Sequence, residues 1–318
     1  MRIVLVAPAV NTGAERGFYN RQEVGLARGL AQLGHEAIVL KVVPRGRNPE
    51  SEDLGDNCQI IDVPARTIGS HGFVDLRRLE SMRPDAVVLF ADLQLCVPGV
   101  GRWCRQRGLP FVEVVGTIDS NREGRAMLAR WTRWRNLREF RRSQVVAKTP
   151  AVAETLAGNG VSATIVPVGL DITVLPRADT ELRQKARNSW GALPKEPILG
   201  FVGNLAPYKA PLGLVPILLE LRKEAPWKLV MVGDGPLAGE FDSAIESAGL
   251  SDWVTRKSRM PNEEMWQLYE AADVLVNLNP GEIFGMAIVE SMFYGTPVVA
   301  VEAPGPRFIL RDGFDGRI

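Results

Sequence analysis

Gly281-Glu282-Ile283-Phe284-Gly285-Met286-Ala287-Ile288-Val289-Glu290 places two carboxylates eight positions apart across the start of a helix. The hydrophobic run Val274 to Leu278 reads as a strand leading into this stretch, and the turn Asn279-Pro280-Gly281 breaks that strand. Good helix formers follow from Met286, and Gly295 with Pro297 ends the run. Gly285 therefore falls near a helix N-terminus, where unpaired N–H groups and the macrodipole favour an anion. Glu282 lies in the loop just before those donors, and Glu290 sits about a turn and a half inside the helix.

The same strand-then-helix alternation extends outward from this stretch to both ends of the chain. Arg2 to Ala7 reads as a buried strand, Gly13 and Gly17 mark a loop, and Gln22 to Gln32 carries Val24, Leu26, Ala27, Leu30 and Ala31 at helical spacing. Gly34-His35 closes that helix before the strand Ala37 to Val43. Ala86 to Phe90, Phe111 to Val115, Val145 to Lys148 and Thr164 to Val168 continue the series. Gly169 to Pro197 is mixed and polar, with Pro176, Pro194 and Pro197, and reads as a junction. The rhythm restarts with strands Ile198 to Val202, Trp227 to Val232 and Trp253 to Arg256. Helices Leu212 to Glu224, Leu237 to Ala248 and Asn262 to Ala272 alternate with them, and Pro297 to Val301 closes the series. The expected fold is α/β: two doubly wound Rossmann-like domains facing a cleft, 1–170 and 171–318.

The chain has 318 residues, is 46% hydrophobic and 24% charged, and carries a net charge of +1, so it reads as a soluble globular protein with sizeable cores. That balance argues against a nucleic-acid partner held by a broad basic surface. Cys58, Cys96 and Cys104 lack zinc spacing and read as free thiols of a reducing cytosol, which points to a cytoplasmic protein. Met1 to Val10 is short and has no cleavage site, and no apolar run reaches membrane-spanning length.

Two more loops follow strands in the second half. Gly203-Asn204-Leu205-Ala206-Pro207-Tyr208-Lys209 offers a close backbone approach and a compact positive charge at Lys209. Gly233-Asp234-Gly235-Pro236 follows the next strand and reads more readily as a tight turn than as a ligand contact. A ligand with a phosphate in the middle and a sugar at each end would meet Glu282, the helix start and Glu290 together. A nucleotide sugar is such a ligand.

These motifs, in this order and spacing, resemble the retaining glycosyltransferases of family 4, which have the two-domain GT-B fold. The resemblance covers nearly the whole chain. It rests on Gly34-His35, the Gly-x-Leu-x-x-x-Lys loop at Gly203 to Lys209, Val232-Gly233-Asp234-Gly235-Pro236, Ala271-Ala272-Asp273, the Glu-x7-Glu pair, and Gly295-Thr296-Pro297-Val298-Val299-Ala300. It implies that the N-terminal domain binds the acceptor and the C-terminal domain the nucleotide-sugar donor. By resemblance, Glu290 accepts from the ribose hydroxyls and Glu282 meets the donor sugar. Backbone N–H groups around Ile283, Phe284 and Gly285 reach the sugar or diphosphate. Lys209 neutralises the leaving diphosphate beside Gly203 and Asn204, Gly17 covers the phosphates, and the base rests near Arg259 and Met260. Glu282 and Lys209 are the catalytic candidates. Asn11, Asp119 and Asn121, with Arg122, are weaker acceptor-side candidates.

The chain departs from the family at four places. The family usually has an arginine where Asn204 stands, with Arg16 and Arg307 the candidates to replace its charge. Gly116-Thr117-Ile118-Asp119 lacks a histidine often found there, and the first-loop glycine pair is reduced to Gly17-Phe18. The chain ends at Ile318, and relatives usually continue through C-terminal crossover helices, which are expected to be absent. No Asp-x-Asp pair stands in a suitable loop, so the expected chemistry needs neither metal nor cofactor. The transfer runs with front-face attack and retention, and Glu282 suits sugar binding better than nucleophilic attack.

A UDP-sugar is the favoured donor and GDP-mannose the second. The acceptor is a hydroxyl of a glycan, a lipid-linked substrate or a small molecule. The competing readings are a catalytically inactive nucleotide-sugar-binding scaffold and a sugar-nucleotide epimerase of the same fold. His35 reads as a helix end, and His71 lies in an uninformative loop.

The segment 126–142 stands apart. Met127, Leu128, Trp131, Trp134, Leu137 and Phe140 recur at near-helical spacing, while Arg130, Arg133, Arg135, Arg138, Arg141 and Arg142 fill the remaining face. The favoured reading is a domain helix with an apolar core face and a solvated basic face. The alternative is peripheral contact with the inner face of an anionic membrane.

Overall fold

A computed structural model describes residues 1–10, 21–118, 126–177, 179–193 and 195–318. The described residues divide into two compact units, one running to Asp171 and the other from Ile172. Each is an α/β unit built on a parallel sheet.

In the first unit the eight-stranded sheet runs Thr164–Ile165, Gln144–Ala147, Phe111–Val115, Ala86–Phe90, Arg2–Ala7, Glu36–Pro44, Cys58–Ala65, Ser51–Asp53. Only Ser51–Asp53 is antiparallel to its neighbour in this sheet, and a separate small hairpin pairs Thr67–Ile68 with His71–Gly72. The helix Gln22–Gln32 buries Val24, Ala27 and Ala31 against Ile3, Leu5, Val39 and Ile60.

In the second unit the six-stranded sheet runs Val254–Lys257, Lys228–Val232, Ile198–Val202, Val274–Asn277, Val298–Ala300, Gly316–Arg317, all parallel. Its strands are apolar on both faces because both faces are covered. Ile198, Val230, Val232, Leu275 and Val298 join one core. Leu199, Phe201, Leu229, Met231 and Val276 alternate with them into the other.

The stretch read as an irregular junction contains a helix, Thr180–Ser189. Asp179 caps it by accepting from the Leu182 N–H at 2.7 Å. Polar composition hides this helix, because Arg187 shares its buried face with Ala186 and Leu182. Arg183 donates to Asp273 at 2.6 Å and Arg187 at 3.2 Å, and the same carboxylate accepts from the Ile198 N–H at 2.8 Å. Asp273 thus ties the helix to the first strand of the sheet. The segment read as one helix from Asn262 to Ala272 is a short 3-10 turn, Asn262–Glu264, followed by the helix Trp266–Ala271. The strand Cys58–Ala65 is an element the periodicity reading did not include. Cys58, Cys96 and Cys104 are all buried and unpaired.

Helix Ala126–Phe140 corrects the favoured reading of 126–142. Its buried side carries Thr132, Asn136 and Glu139 along with Leu137 and Phe140, while Met127, Trp131 and Trp134 are exposed. The physical reason is a polar pocket under the helix, where Arg105 donates to Glu139 through both guanidinium nitrogens. Glu113 on the neighbouring strand lies in the same place, and burial, helped by the Glu139 charge, pushes its pKa up to about 9.

Removing the Asp273 carboxylate takes the anionic partner from Arg183 and Arg187, which keep only backbone carbonyls as acceptors, and leaves the Ile198 N–H without its acceptor. Asp273→Ala is therefore expected to cost about 2–3 kcal/mol of stability, read as a lower urea midpoint. A midpoint unchanged from the parent protein would show that this cluster does not hold the helix to the sheet.

Candidate functional site

In the second sheet the chain starts in the middle at Ile198–Val202, moves outward on one side, then returns to Val274–Asn277 on the other. The strand order reverses between these two neighbours, and the loops leaving their carboxyl ends diverge. Such a switch point opens a crevice for a ligand. The two loops leaving it are Gly203 to Lys209 and Leu278 to Gly285.

These loops bring Lys209 and Glu282 together. Lys209 Nζ lies 2.6 Å from Glu282 Oε2, with both side chains largely buried. Lys209 sits in the turn Pro207–Lys209, and its stem passes beside Gly203. Glu282 also accepts from Asn279 Nδ2 at 3.1 Å and from Asn277 Nδ2 at 3.3 Å. Burial pushes the Glu282 pKa up. The Lys209 charge and the hydrogen bonds from Lys209, Asn279 and Asn277 outweigh it, so the carboxyl is held below its ordinary value. Asn277 and Asn279 are functional candidates the sequence reading did not name. The signal available for them is a strand that ends on Asn before an Asn-Pro-Gly turn.

Gly285 caps the helix Met286–Phe293 with a left-handed φ of 95°. A side chain there would press on Ile288 and on Glu282 Cγ, so the glycine keeps the loop close to the helix. Among the described residues no acceptor is recorded for the N–H groups of Ile283, Phe284, Gly285, Met286 or Ala287. These donors cluster beside the ion pair, in an arrangement that suits an anion. The loop is held from behind by the Gly305 N–H, which donates to the Glu282 carbonyl at 2.7 Å.

Glu290 is 9% exposed and accepts from the Tyr269 hydroxyl at 2.5 Å. Burial, then the Glu290 charge and hydrogen bond, push the Tyr269 pKa well above its ordinary value, so Tyr269 stays a donor. One Glu290 oxygen is thus tied inward. Tyr269 is a second residue missed from sequence, since nothing local marks an inward tyrosine on a preceding helix.

The remaining candidates are placed as follows. Arg259 is exposed in the loop after Val254–Lys257, and the Met260 side chain is buried in the core. Phe284 is buried and Ile283 partly so. Asn204 is exposed, with its Nδ2 3.5 Å from the Tyr208 hydroxyl. Arg307 pairs with Glu302 at 2.6 Å. Gly233 and Gly235 serve the packing of one loop on the other: a side chain at either would collide with Gly203, Asn204 or Leu205. Asn11, Arg16, Gly17, Asp119, Asn121 and Arg122 lie outside the described residues.

The first sheet has its own reversal between Arg2–Ala7 and Ala86–Phe90. Near the carboxyl ends of its strands, Asp92 accepts from the N–H groups of Gly116 and Thr117 and lies 3.6 Å from Lys148 Nζ. Lys148 also donates to Gln22 Oε1 at 3.3 Å. The sequence reading did not name Asp92, Lys148 or Gln22.

Residues 183–318 match a family model described as glycosyl transferases group 1. It is 36% identical over 160 residues to the D-inositol 3-phosphate glycosyltransferase of Nocardia farcinica, covering 48% of this chain and 35% of that protein. The chain therefore spans about a third of that relative's length. It is 29% identical over 294 residues to a GDP-mannose-dependent alpha-mannosyltransferase of Mycobacterium tuberculosis, covering 88% of this chain and 74% of that protein. Among solved structures it is similar to the sucrose-phosphate synthase of Thermosynechococcus elongatus, with a TM-score of 0.78 and 18% identity over 99% of this chain and 85% of that one. The fold is the GT-B architecture of two Rossmann-like units.

The ion pair makes a titration prediction. With the folded pKa of Glu282 depressed, its contribution to stability is fully present above the ordinary value of 4.5 and is lost as pH falls through the lower folded value. In Lys209→Met, burial remains while the main offset is gone. Glu282 should then titrate above its value in the parent protein, as read by carboxyl-carbon NMR. An unmoved titration would mean that Lys209 does not set the charge on Glu282.

Proposed function

We propose that this chain moves a sugar from a nucleoside-diphosphate sugar to a hydroxyl acceptor, with retention at the anomeric carbon and without a metal ion. The observation that carries the reading is the Lys209–Glu282 pair, joined at 2.6 Å beside a run of N–H donors at the strand-order reversal. Breaking the sugar–phosphate bond places positive charge on the anomeric carbon and negative charge on the diphosphate. Lys209 and the N–H groups of Ile283 to Gly285 serve the negative side. Fixed donors of this kind each contribute about 3 kcal/mol to lowering a barrier. Glu282, kept ionised by its partners, accepts from the sugar hydroxyls and orients the ring. Glu290, steadied by Tyr269, accepts from the ribose.

Retention follows from an acceptor that enters on the face the diphosphate leaves, with the departing phosphate oxygen taking the acceptor's proton. The second unit takes the donor and the first the acceptor. GDP-mannose is the first donor to test, because the mannosyltransferase relative aligns over most of both units. A UDP-sugar is the second. An inositol phosphate, a glycan or a lipid-linked sugar fits the acceptor side.

A thermal-shift panel of GDP, UDP, ADP and their sugars tests donor binding. One nucleotide should raise the melting temperature, and Glu290→Ala should remove that rise, because each lost charge-assisted hydrogen bond is worth about 1.5–3 kcal/mol. No shift with any nucleotide would reject the reading, and a full shift retained in Glu290→Ala would reject the ribose role.

With donor and acceptor identified, turnover should persist in EDTA, and proton NMR of the first product should show the donor's own anomeric configuration. Inversion, or loss of turnover restored by a divalent ion, would overturn the corresponding half of the mechanism.

A further inference from the structure

We propose that the outward stripe of helix Ala126–Phe140 is a docking surface for an anionic lipid membrane. Met127, Trp131, Trp134 and Arg138 follow one another at helical spacing along a single line. Met127 is 87% exposed, Trp131 48% and Trp134 54%. Arg130 and Arg138 flank the indoles in the open, and Arg141 and Arg142 continue the basic edge past the helix end. The acid of this helix, Glu139, is buried on the opposite side against Arg105, so the helix contributes no negative charge to the stripe. The helix thus turns Thr132, Asn136 and Glu139 inward beside Leu137 and Phe140, and leaves both tryptophans outward, against the usual burial rule.

Charge and ring geometry choose the occupant. The Arg135 guanidinium lies 4.5 Å over the Trp131 ring and that of Arg138 4.9 Å over Trp134. One face of each indole is therefore already covered by a cation, which is poor for base stacking and good for holding an amphipathic ring upright at an interface. A second copy meeting this face symmetrically would set arginines against arginines. Lipid headgroups bring the opposite charge, and the acyl boundary accepts the indoles and Met127. Among the described residues no helix is long and apolar enough to cross a membrane, so the helix lies on the surface. This inference does not rest on the donor chemistry.

The test uses the whole chain with vesicles of phosphatidylcholine mixed with phosphatidylglycerol, and with phosphatidylcholine alone. The protein should sediment with the anionic vesicles only, and brominated lipid should quench its tryptophan emission. Trp131→Ala with Trp134→Ala, and separately Arg130→Ser with Arg138→Ser, should each lower the partition coefficient roughly tenfold. The melting temperature should stay at the parent value, because these side chains are exposed. Absence of sedimentation with either vesicle, or binding unchanged in both variants, overturns the proposal. So does a dimer that these substitutions dissolve, or single-stranded RNA retained through these residues by a protein that ignores vesicles.

Discussion

The reversal of strand order between Ile198–Val202 and Val274–Asn277 is the constraint on which the second unit's chemistry depends. Two neighbouring parallel strands feed helices that leave in opposite directions, so no connection crosses the space above their ends. Lys209 and Glu282 are 73 positions apart in sequence, and this reversal alone brings them within 2.6 Å. The loops can be short and stiff because the strands beneath them are pinned on both faces by apolar cores. Asp273, immediately before one of the two strands, adds a polar tie to the other through the Ile198 N–H.

Burying an acid and a base together is expensive, and the site offsets that cost through redundancy. Glu282 has Lys209, Asn277 and Asn279 as donors, so it keeps its charge despite burial. Asn277 and Asn279 are themselves fixed, since their side-chain oxygens accept from the N–H groups of Asn279 and Gly281. A diphosphate arriving at Lys209 meets an ammonium group that is already oriented, so little reorganisation is left for the moment of bond cleavage. The Tyr269–Glu290 pair is a second case: a hydroxyl that burial keeps protonated fixes one carboxylate oxygen and turns the group as a whole.

Much of this was legible in the chain. The stretch from Val274 to Gly295 announces a strand, a turn and a capped helix, because Gly285, the apolar spacing after it and Gly295 are local signals. What stayed hidden is non-local. Asn277 looks like a strand residue until its amide is seen 3.3 Å from Glu282, and Tyr269 looks like one more apolar position until its hydroxyl is seen on Glu290. The helix Thr180–Ser189 was obscured for a related reason, because Arg187 on its inward face scores as polar although it is 8% exposed.

Helix Ala126–Phe140 separates periodicity from orientation. Apolar residues at helical spacing fix that there is a stripe, and leave open which way it faces. Orientation is decided by what the sheet offers, and here the sheet offers a carboxyl, Glu113, with Arg105 close by. Thr132, Asn136 and Glu139 are the side chains turned there: Glu139 accepts from the Arg105 guanidinium and Thr132 donates to the Leu128 carbonyl at 2.8 Å, while among the described residues the Asn136 amide and both Glu113 oxygens are buried without a hydrogen bond. Once those three face inward, a period of 3.6 residues carries Met127, Trp131 and Trp134 to the outside, whatever their hydrophobicity. The exposed indoles are thus the outward counterpart of a buried polar cluster, and the arginines stacked on them make that exposure tolerable.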